Sequence, residues 1–186
     1  MADDQLVIAI RDAEAADAEA LASVGLTSFK ATYEGTASEE DMATHLERYF
    51  SAEAVRAEMG RSDQGYLVAA VDAEPVGLAK WRQGYCPDEV PASDSIEIQQ
   101  LYVLPERQGF GIGGRLVEAV IHITKKHAAH GIWLSVWEHA DWAIGFYRKI
   151  GFREIGKTGF SLGKTQHTDL LLWLPVEVQS RCGAVR

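Results

Sequence analysis

Residues 95–114 read SIEIQQLYVLPERQGFGIGG, and this stretch decides the architecture. Apolar residues fall at Ile96 and Ile98, then at Leu101 and Val103. Such alternation marks a strand with one buried face, and it slips by one at Gln99-Gln100. The slip predicts a β-bulge, which leaves a backbone N–H without a ladder partner and splays the strand from its neighbour. The run Arg107-Gln108-Gly109-Phe110-Gly111-Ile112-Gly113-Gly114 follows and opens a helix, since Ile112, Leu116, Val120 and Ile123 share one helical face. Glycines let a backbone come close to a ligand. The N–H groups of a first helical turn point outward, with the positive end of the helix dipole behind them. In physical terms this is a diphosphate site. No Lys-Ser or Lys-Thr closes the loop, so it is not a P-loop.

Gly109, Gly111 and Gly114 also satisfy G-x-G-x-x-G, and the next strand ends near Glu138, where a ribose-binding acid belongs in a dinucleotide fold. Three features oppose that NAD-type oxidoreductase reading. Pro105-Glu106-Arg107-Gln108 separates strand from loop, whereas the dinucleotide turn is tight. The motif comes late, with too few βα units after it for a doubly wound sheet. The strand carries internal polar residues, unlike a central parallel strand.

Working outward, Gln5 to Ile10 reads as a strand and Asp12 to Phe29 as an Ala-rich helix, with a break over Thr32 to Ala37. Ser38 caps a helix running to about Phe50, and Ser51 caps another to Met59. Gly60 to Gly65 is a turn. Tyr66 to Val71 and Pro75 to Trp81 form a hairpin around Asp72-Ala73-Glu74, followed by a loop from Gly84 to Ser93. After the strand Ser95 to Val103, a long helix runs from Gly111 to His130 and stops at Gly131. Ile132 to Trp137 is a strand, and Ala140 to Ile150 a helix ended by Gly151. Phe152 to Leu162 and Asp169 to Leu174 form a last pair around Gly163-Lys164-Thr165-Gln166. Hairpins preceding a single β-α-β unit argue for a mixed sheet.

The chain of 186 residues suits one domain, with a core over about 5–174 and a C-terminal tail over 175–186. Its net charge of −9 repels nucleic-acid phosphate and anionic membranes and favours cationic partners, although solubility alone accounts for such a charge too. Cys86 and Cys182 lie in no metal-type array, and no His pair near Lys125 and Lys126 has zinc spacing, so no metal is expected. The start Met1-Ala2-Asp3-Asp4 has no basic or apolar signal, and no run nears the roughly 18 apolar residues that span a bilayer. The expectation is a soluble cytoplasmic protein with no membrane or nucleic-acid partner; a homodimer is left open.

Leu101 to Gly113 resembles the central motif of the GNAT superfamily of N-acetyltransferases, Q/R-x-x-G-x-G/A, met here by Gln108, Gly111 and Gly113. Ala143-Ile144-Gly145-Phe146-Tyr147-Arg148-Lys149-Ile150-Gly151-Phe152 is similar to the family's A-x-x-F-Y-x-x-x-G-F signature. The two occur in the family's order and separation, and the resemblance spans about Gln5 to Leu174. The wording around Glu97 to Val103 and Val136 to His139 resembles the bacterial polyamine (spermidine/spermine) acetyltransferase branch, as does Gly159 to Gly163 with Asp169-Leu170-Leu171. The resemblance implies an α/β (α+β) fold with a mixed, mostly antiparallel sheet of about seven strands, helices on both faces and a bulged, splayed strand pair. It implies acetyl transfer from acetyl-CoA to a primary amine. The family often has Asn where this chain has Ala140, which puts one CoA contact in doubt.

An alkylamine is neutral in only about one molecule in 10³ at pH 7, and attack on a thioester needs that form; a carboxylate can take the proton, directly or through water. Glu97 on the bulged strand is the first candidate, and Glu138 at the end of the next strand the second. The family pattern makes Tyr147 the acid that protonates the departing thiolate. It makes Leu101, Tyr102 and Val103 the holders of the acetyl-pantetheine arm, and Gln108 to Gly114 with Phe146 the rest of the CoA site, including Gly109, Phe110, Gly111, Ile112 and Gly113. Substrate specificity is expected from Tyr33 to Tyr49, with Tyr33, Glu34 and Glu138 at the acceptor. The acids Glu39, Glu40, Asp41 and Glu47 would draw a polyamine, and equally fit a helix start with a solvated face. A non-catalytic CoA-binding regulatory module is the alternative from another class, opposed by Tyr147. Protein N-termini, amino acids and antibiotics stay open as acceptors.

Overall fold

A computed structural model describes residues 7–177. Seven strands form one sheet: β1 (Ile8–Asp12), β2 (Gln64–Val71), β3 (Glu74–Gln83), β4 (Ile96–Val103), β5 (Gly131–Trp137), β6 (Arg153–Leu162) and β7 (Thr165–Pro175). Five helices flank it: α1 (Ala18–Tyr33), α2 (Glu39–Phe50), α3 (Ala52–Glu58), α4 (Ile112–Lys126) and α5 (Asp141–Ile150). The spatial order is β1-β2-β3-β4-β5-β7-β6, and every neighbouring pair is antiparallel except β4 and β5. The period of two in β2 sorts its side chains between two layers. Leu67, Ala69 and Val71 face Leu116, Val117 and Val120 of α4 and Ile144 of α5. Tyr66, Val68 and Ala70 face Leu21 and Val24 of α1 and Val55 of α3. Helices therefore cover both faces.

The bulge lies where the slip in alternation put it. On β3, Lys80 pairs with Gln100 and Trp81 with Ile98, so Gln99 is the extra residue. On the other side β4 meets β5 at only two positions, Ile96 with Ile132 and Glu97 with Trp133. Beyond Glu97 the two strands part, and the edge of β4 from Gln99 to Val103 has no ladder partner toward β5. That wedge creates the cleft described below.

Several boundaries differ from the sequence reading, each for a local reason. The strand expected over Gln5 to Ile10 runs over Ile8–Asp12, and residues 1–6 lie outside the described part. The first helix begins at Ala18 because Asp17 terminates the preceding segment. Its carboxylate accepts from the Glu14 N–H at 2.7 Å and from both terminal nitrogens of Arg11 at 2.7 Å each. α4 stops at Lys126, short of Gly131. Ala128 takes the left-handed conformation (φ 54°), and the Ala128 and Ala129 N–H groups bond back to Lys125 and Thr124. This is a Schellman cap in which alanine sits where glycine is usual. Gly131 instead opens β5, where a Cβ would overlap the Trp173 ring. β7 starts at Thr165 rather than Asp169, since its polar first residues complete the hairpin with β6. Of the tail expected from residue 175, Val176 is still buried and its N–H bonds to the His130 carbonyl at 2.9 Å.

Candidate active site

A cleft of about 380 Å³ follows the wedge between β4 and β5. It runs from the glycine loop, past the free edge of β4, to side chains of α1 and β5, and Tyr147 of α5 lines its wall. The loop end is built by backbone. Gly109 (φ 84°) and Gly111 (φ 79°) are left-handed, and Gly111 is the N-cap of α4. The first helical hydrogen bond runs from the Arg115 N–H to the Gly111 carbonyl at 3.2 Å. The N–H groups of Ile112, Gly113 and Gly114 therefore precede the helix's own ladder and are free for a ligand. A Cβ at Gly109, Gly111 or Gly114 would meet no atom within 4 Å, so these glycines border open space. Arg107 is the one charged side chain among the described lining residues, and it stands at this end. Bare amides, a helix dipole and a guanidinium fit the diphosphate of a coenzyme A.

Tyr147 is 8% exposed and packs edge-on against Phe146 and Phe152 at 5.1 and 5.4 Å. Burial pushes its phenol above the ordinary tyrosine range, so it stays protonated at neutral pH. Phe146 fixes the start of α4 from the other side: a Cβ at Gly113 would stand 3.2 Å from its ring.

The cleft brings together most of the residues expected from sequence: Tyr33, Leu101, Tyr102, Val103, Gln108, Gly109, Gly111, Ile112, Gly113, Gly114, Phe146 and Tyr147. Four stand outside its lining. Glu97 projects from the last paired position of β4, and its carboxylate is taken by the guanidinium of Arg82. Burial pushes the Glu97 carboxyl up and Arg82 partly offsets this. Glu138 is ion-paired with Lys157 at 2.9 Å, which holds its carboxyl below the usual range. Glu34 caps the end of α1 in solvent, and Phe110 is 55% exposed. Gln108 lines the cleft, but its side-chain amide donates to the Val103 carbonyl at 3.2 Å and braces the loop against β4.

Sequence reasoning named Tyr33 but missed the rest of the cleft end away from the glycine loop. Ser28 and Thr32 of α1, Gln99 and Gln100 of the bulge, and Ser135 and Trp137 of β5 all line it. Tyr33 meets Trp137 at 5.5 Å and His167 at 5.9 Å, and Trp137 meets His167 at 5.7 Å, forming an aromatic wall. The only sequence signal for it was the alternation along β5 and β7, which assigns faces but not partners. Ala140 is buried at the N-cap of α5 and offers that helix no side-chain cap. Among the described residues there is no cluster of three or more His, Cys, Asp or Glu side chains placed to hold a metal, and no helix long and apolar enough to cross a membrane.

The sequence pattern of the Acetyltransferase (GNAT) family matches residues 25–152. An uncharacterized N-acetyltransferase in the pepI 3′ region of Lactobacillus delbrueckii subsp. lactis is 27% identical over 150 residues, covering 81% of this chain and 87% of that protein. Among solved structures, the PaiA N-acetyltransferase of Thermoplasma acidophilum in complex with coenzyme A is similar with a TM-score of 0.75 and 26% identity, over 91% of this chain and 99% of that one. A GNAT-family acetyltransferase from Staphylococcus aureus shares the fold, with a TM-score of 0.68 at 17% identity over 92% of this chain and 100% of that one.

Proposed function

The chain belongs to the GNAT family of acetyltransferases, and from that premise we propose that it acetylates a small primary amine, a polyamine foremost, with Tyr147 as the acid. Acetyl-CoA supplies the activated acyl group as a thioester. The observation that carries the reading is the continuity of one cleft from the bare amides of α4 to Tyr147. The coenzyme A bound to the Thermoplasma PaiA structure supports the same use of this cleft.

The roles follow from position. Ile112, Gly113 and Gly114 hold the diphosphate through their N–H groups, with Arg107 beside them. The unpaired edge of β4 over Leu101, Tyr102 and Val103 accepts the amide-bearing arm as a further strand accepts a partner. The backbone freed by the bulge at Gln99 is placed to stabilise charge growing on the thioester oxygen. Tyr147, kept protonated by burial, gives its proton to the departing sulfur. Glu97 reaches the reacting atoms only through a water relay, because Arg82 holds its carboxylate outside the lining. The aromatic wall with Tyr33 receives the acceptor's carbon chain. All described elements belong to this one acetyltransferase domain, on this reading.

The test is thiol release from acetyl-CoA on adding spermidine, a free amino acid or a peptide with a free N-terminus. Release with spermidine and little with the others is expected. Release with the peptide alone would move the acceptor class to protein N-termini. Coenzyme A binding without turnover for any amine would convert the assignment to a binding module.

A further inference from the structure

The buried carboxylate of Asp169 has no part in the chemistry so far. Asp169 is 5% exposed, and its Oδ1 has no hydrogen-bond partner among the described residues. An unpaired oxygen on a buried carboxylate is costly even where Ser135 bonds to the group, and native proteins seldom keep one without a use. Five other buried polar atoms also lack partners among the described residues: Ser28 Oγ, Gln99 Oε1, His167 Nε2, Ser95 Oγ and Trp133 Nε1. Ser28 and Gln99 line the cleft. Asp169 sits directly opposite Trp137 across the β5–β7 ladder, so both side chains leave the same face of the sheet. His167, two residues away, shares that face. The Asp169 charge is felt at Tyr33 and Tyr102, two cleft residues from other elements, whose phenols it helps to raise. Ser28 and Gln99 thus line the acceptor end, and Asp169 and His167 stand on the sheet face of Trp137 just behind its lining, while Ser95 and Trp133 belong to neither set.

Their chemistry is complementary to one kind of group. An ammonium ion has three N–H donors and no acceptor. Asp169 Oδ1 and Gln99 Oε1 are acceptors, and the Ser28 hydroxyl accepts as well. The neighbouring rings of Tyr33 and Trp137 favour a cation over a neutral guest. We propose that Asp169 is the carboxylate that receives the acceptor as a cationic alkylammonium and takes up its proton. This rests on the acetyltransferase reading above and names the substrate's charge state and its base. An N–H bond of the ammonium breaks and its proton goes to Asp169 Oδ1. The freed lone pair forms the C–N bond to the thioester carbonyl carbon, and the C–S bond breaks. The sulfur takes the Tyr147 proton, the nitrogen's second proton restores the phenol, and the Asp169 proton leaves to solvent. Burial raises the Asp169 carboxyl above its ordinary range, partly offset by Ser135 and His167. The titratable and charged groups around it are Tyr33 of α1, Tyr102 of β4, Glu138 at the end of β5 with its Lys157 partner of β6, and His167 of β7.

The test compares Asp169→Asn with the wild type on spermidine and on trifluoroethylamine, an amine already neutral at pH 7. Coenzyme A affinity and thermal melting establish that the variant is folded. The expected loss in kcat/KM is about 10²-fold or more with spermidine and under about threefold with trifluoroethylamine. Equal losses with both amines, or none, would overturn the assignment. A second readout needs no variant. If the cation is what binds, wild-type kcat/KM with spermidine is flat between pH 8 and 9. A rise of about tenfold per pH unit would mean that the neutral amine binds, and would overturn it. A wild type inactive with every amine would instead refute the transferase reading, and this inference with it.

Discussion

Gly114 separates what the helix wants from what the ligand wants. It lies in the first turn of α4, has no positive φ, and a Cβ there would touch nothing within 4 Å. Helix propensity alone favours alanine over glycine by up to about 1 kcal/mol. Gly114→Ala should therefore stabilise the free protein and raise its melting temperature by about 2–4 °C for a chain of this size. The same methyl group borders the cleft where, on the proposed function, the first-turn amides meet a diphosphate. Losing one charge-assisted hydrogen bond costs about 1.5–3 kcal/mol, or roughly ten- to a hundredfold in affinity. The neighbouring glycines supply contrasts. Gly111→Ala meets left-handed strain, and Gly113→Ala presses on Phe146 at 3.2 Å, so both should lower stability. Melting curves with and without coenzyme A, together with calorimetric titration, read both effects. A Gly114→Ala protein that melts higher yet binds coenzyme A like the wild type would refute the reasoning.

Three further outcomes are expected. Tyr147→Phe should keep coenzyme A affinity and lower kcat about 10²- to 10⁴-fold, in stopped or continuous thiol assays; an unchanged kcat removes the phenol from the mechanism. Ala128→Gly should stabilise the protein by about 1 kcal/mol by relieving the left-handed cap at the end of α4, in urea unfolding. Asp169 binds its proton more tightly folded than unfolded, so its contribution to stability falls as pH rises from the ordinary carboxylate range through the folded value. Asp169→Asn should accordingly flatten that slope and be more stable than the wild type at pH 8, measured by urea unfolding at pH 5 and 8; a variant less stable at pH 8 would show that the charge is internally paired.

The bulge and the glycine turn were legible because each is a local pattern: a slip in period at Gln99 and glycines opening an amphipathic helix. Tyr147 and Phe146 were legible through the family signature. The end of the cleft proposed for the acceptor was not, apart from Tyr33. Asp169 lies in an ordinary strand pattern, and only its pairing with Trp137, two strands away in sequence, puts it on the same sheet face as that cleft residue. Glu97 was legible only in part. Its place on the bulged strand was read correctly, but Arg82 on β3 occupies its carboxylate, and an ion pair between strands has no signature in either strand alone. The end of α4 was displaced because glycine is the usual left-handed residue, while here Ala128 holds that conformation and Gly131 yields space to Trp173.

The central claim is that unpaired amides at the start of α4 grip a diphosphate. Amide NMR shifts of a ¹⁵N-labelled sample, titrated with coenzyme A and separately with pantetheine, test it most directly. Large shifts at Ile112, Gly113 and Gly114 with coenzyme A, nearly absent with pantetheine, are predicted. Undisturbed amides there while coenzyme A demonstrably binds elsewhere would contradict the account.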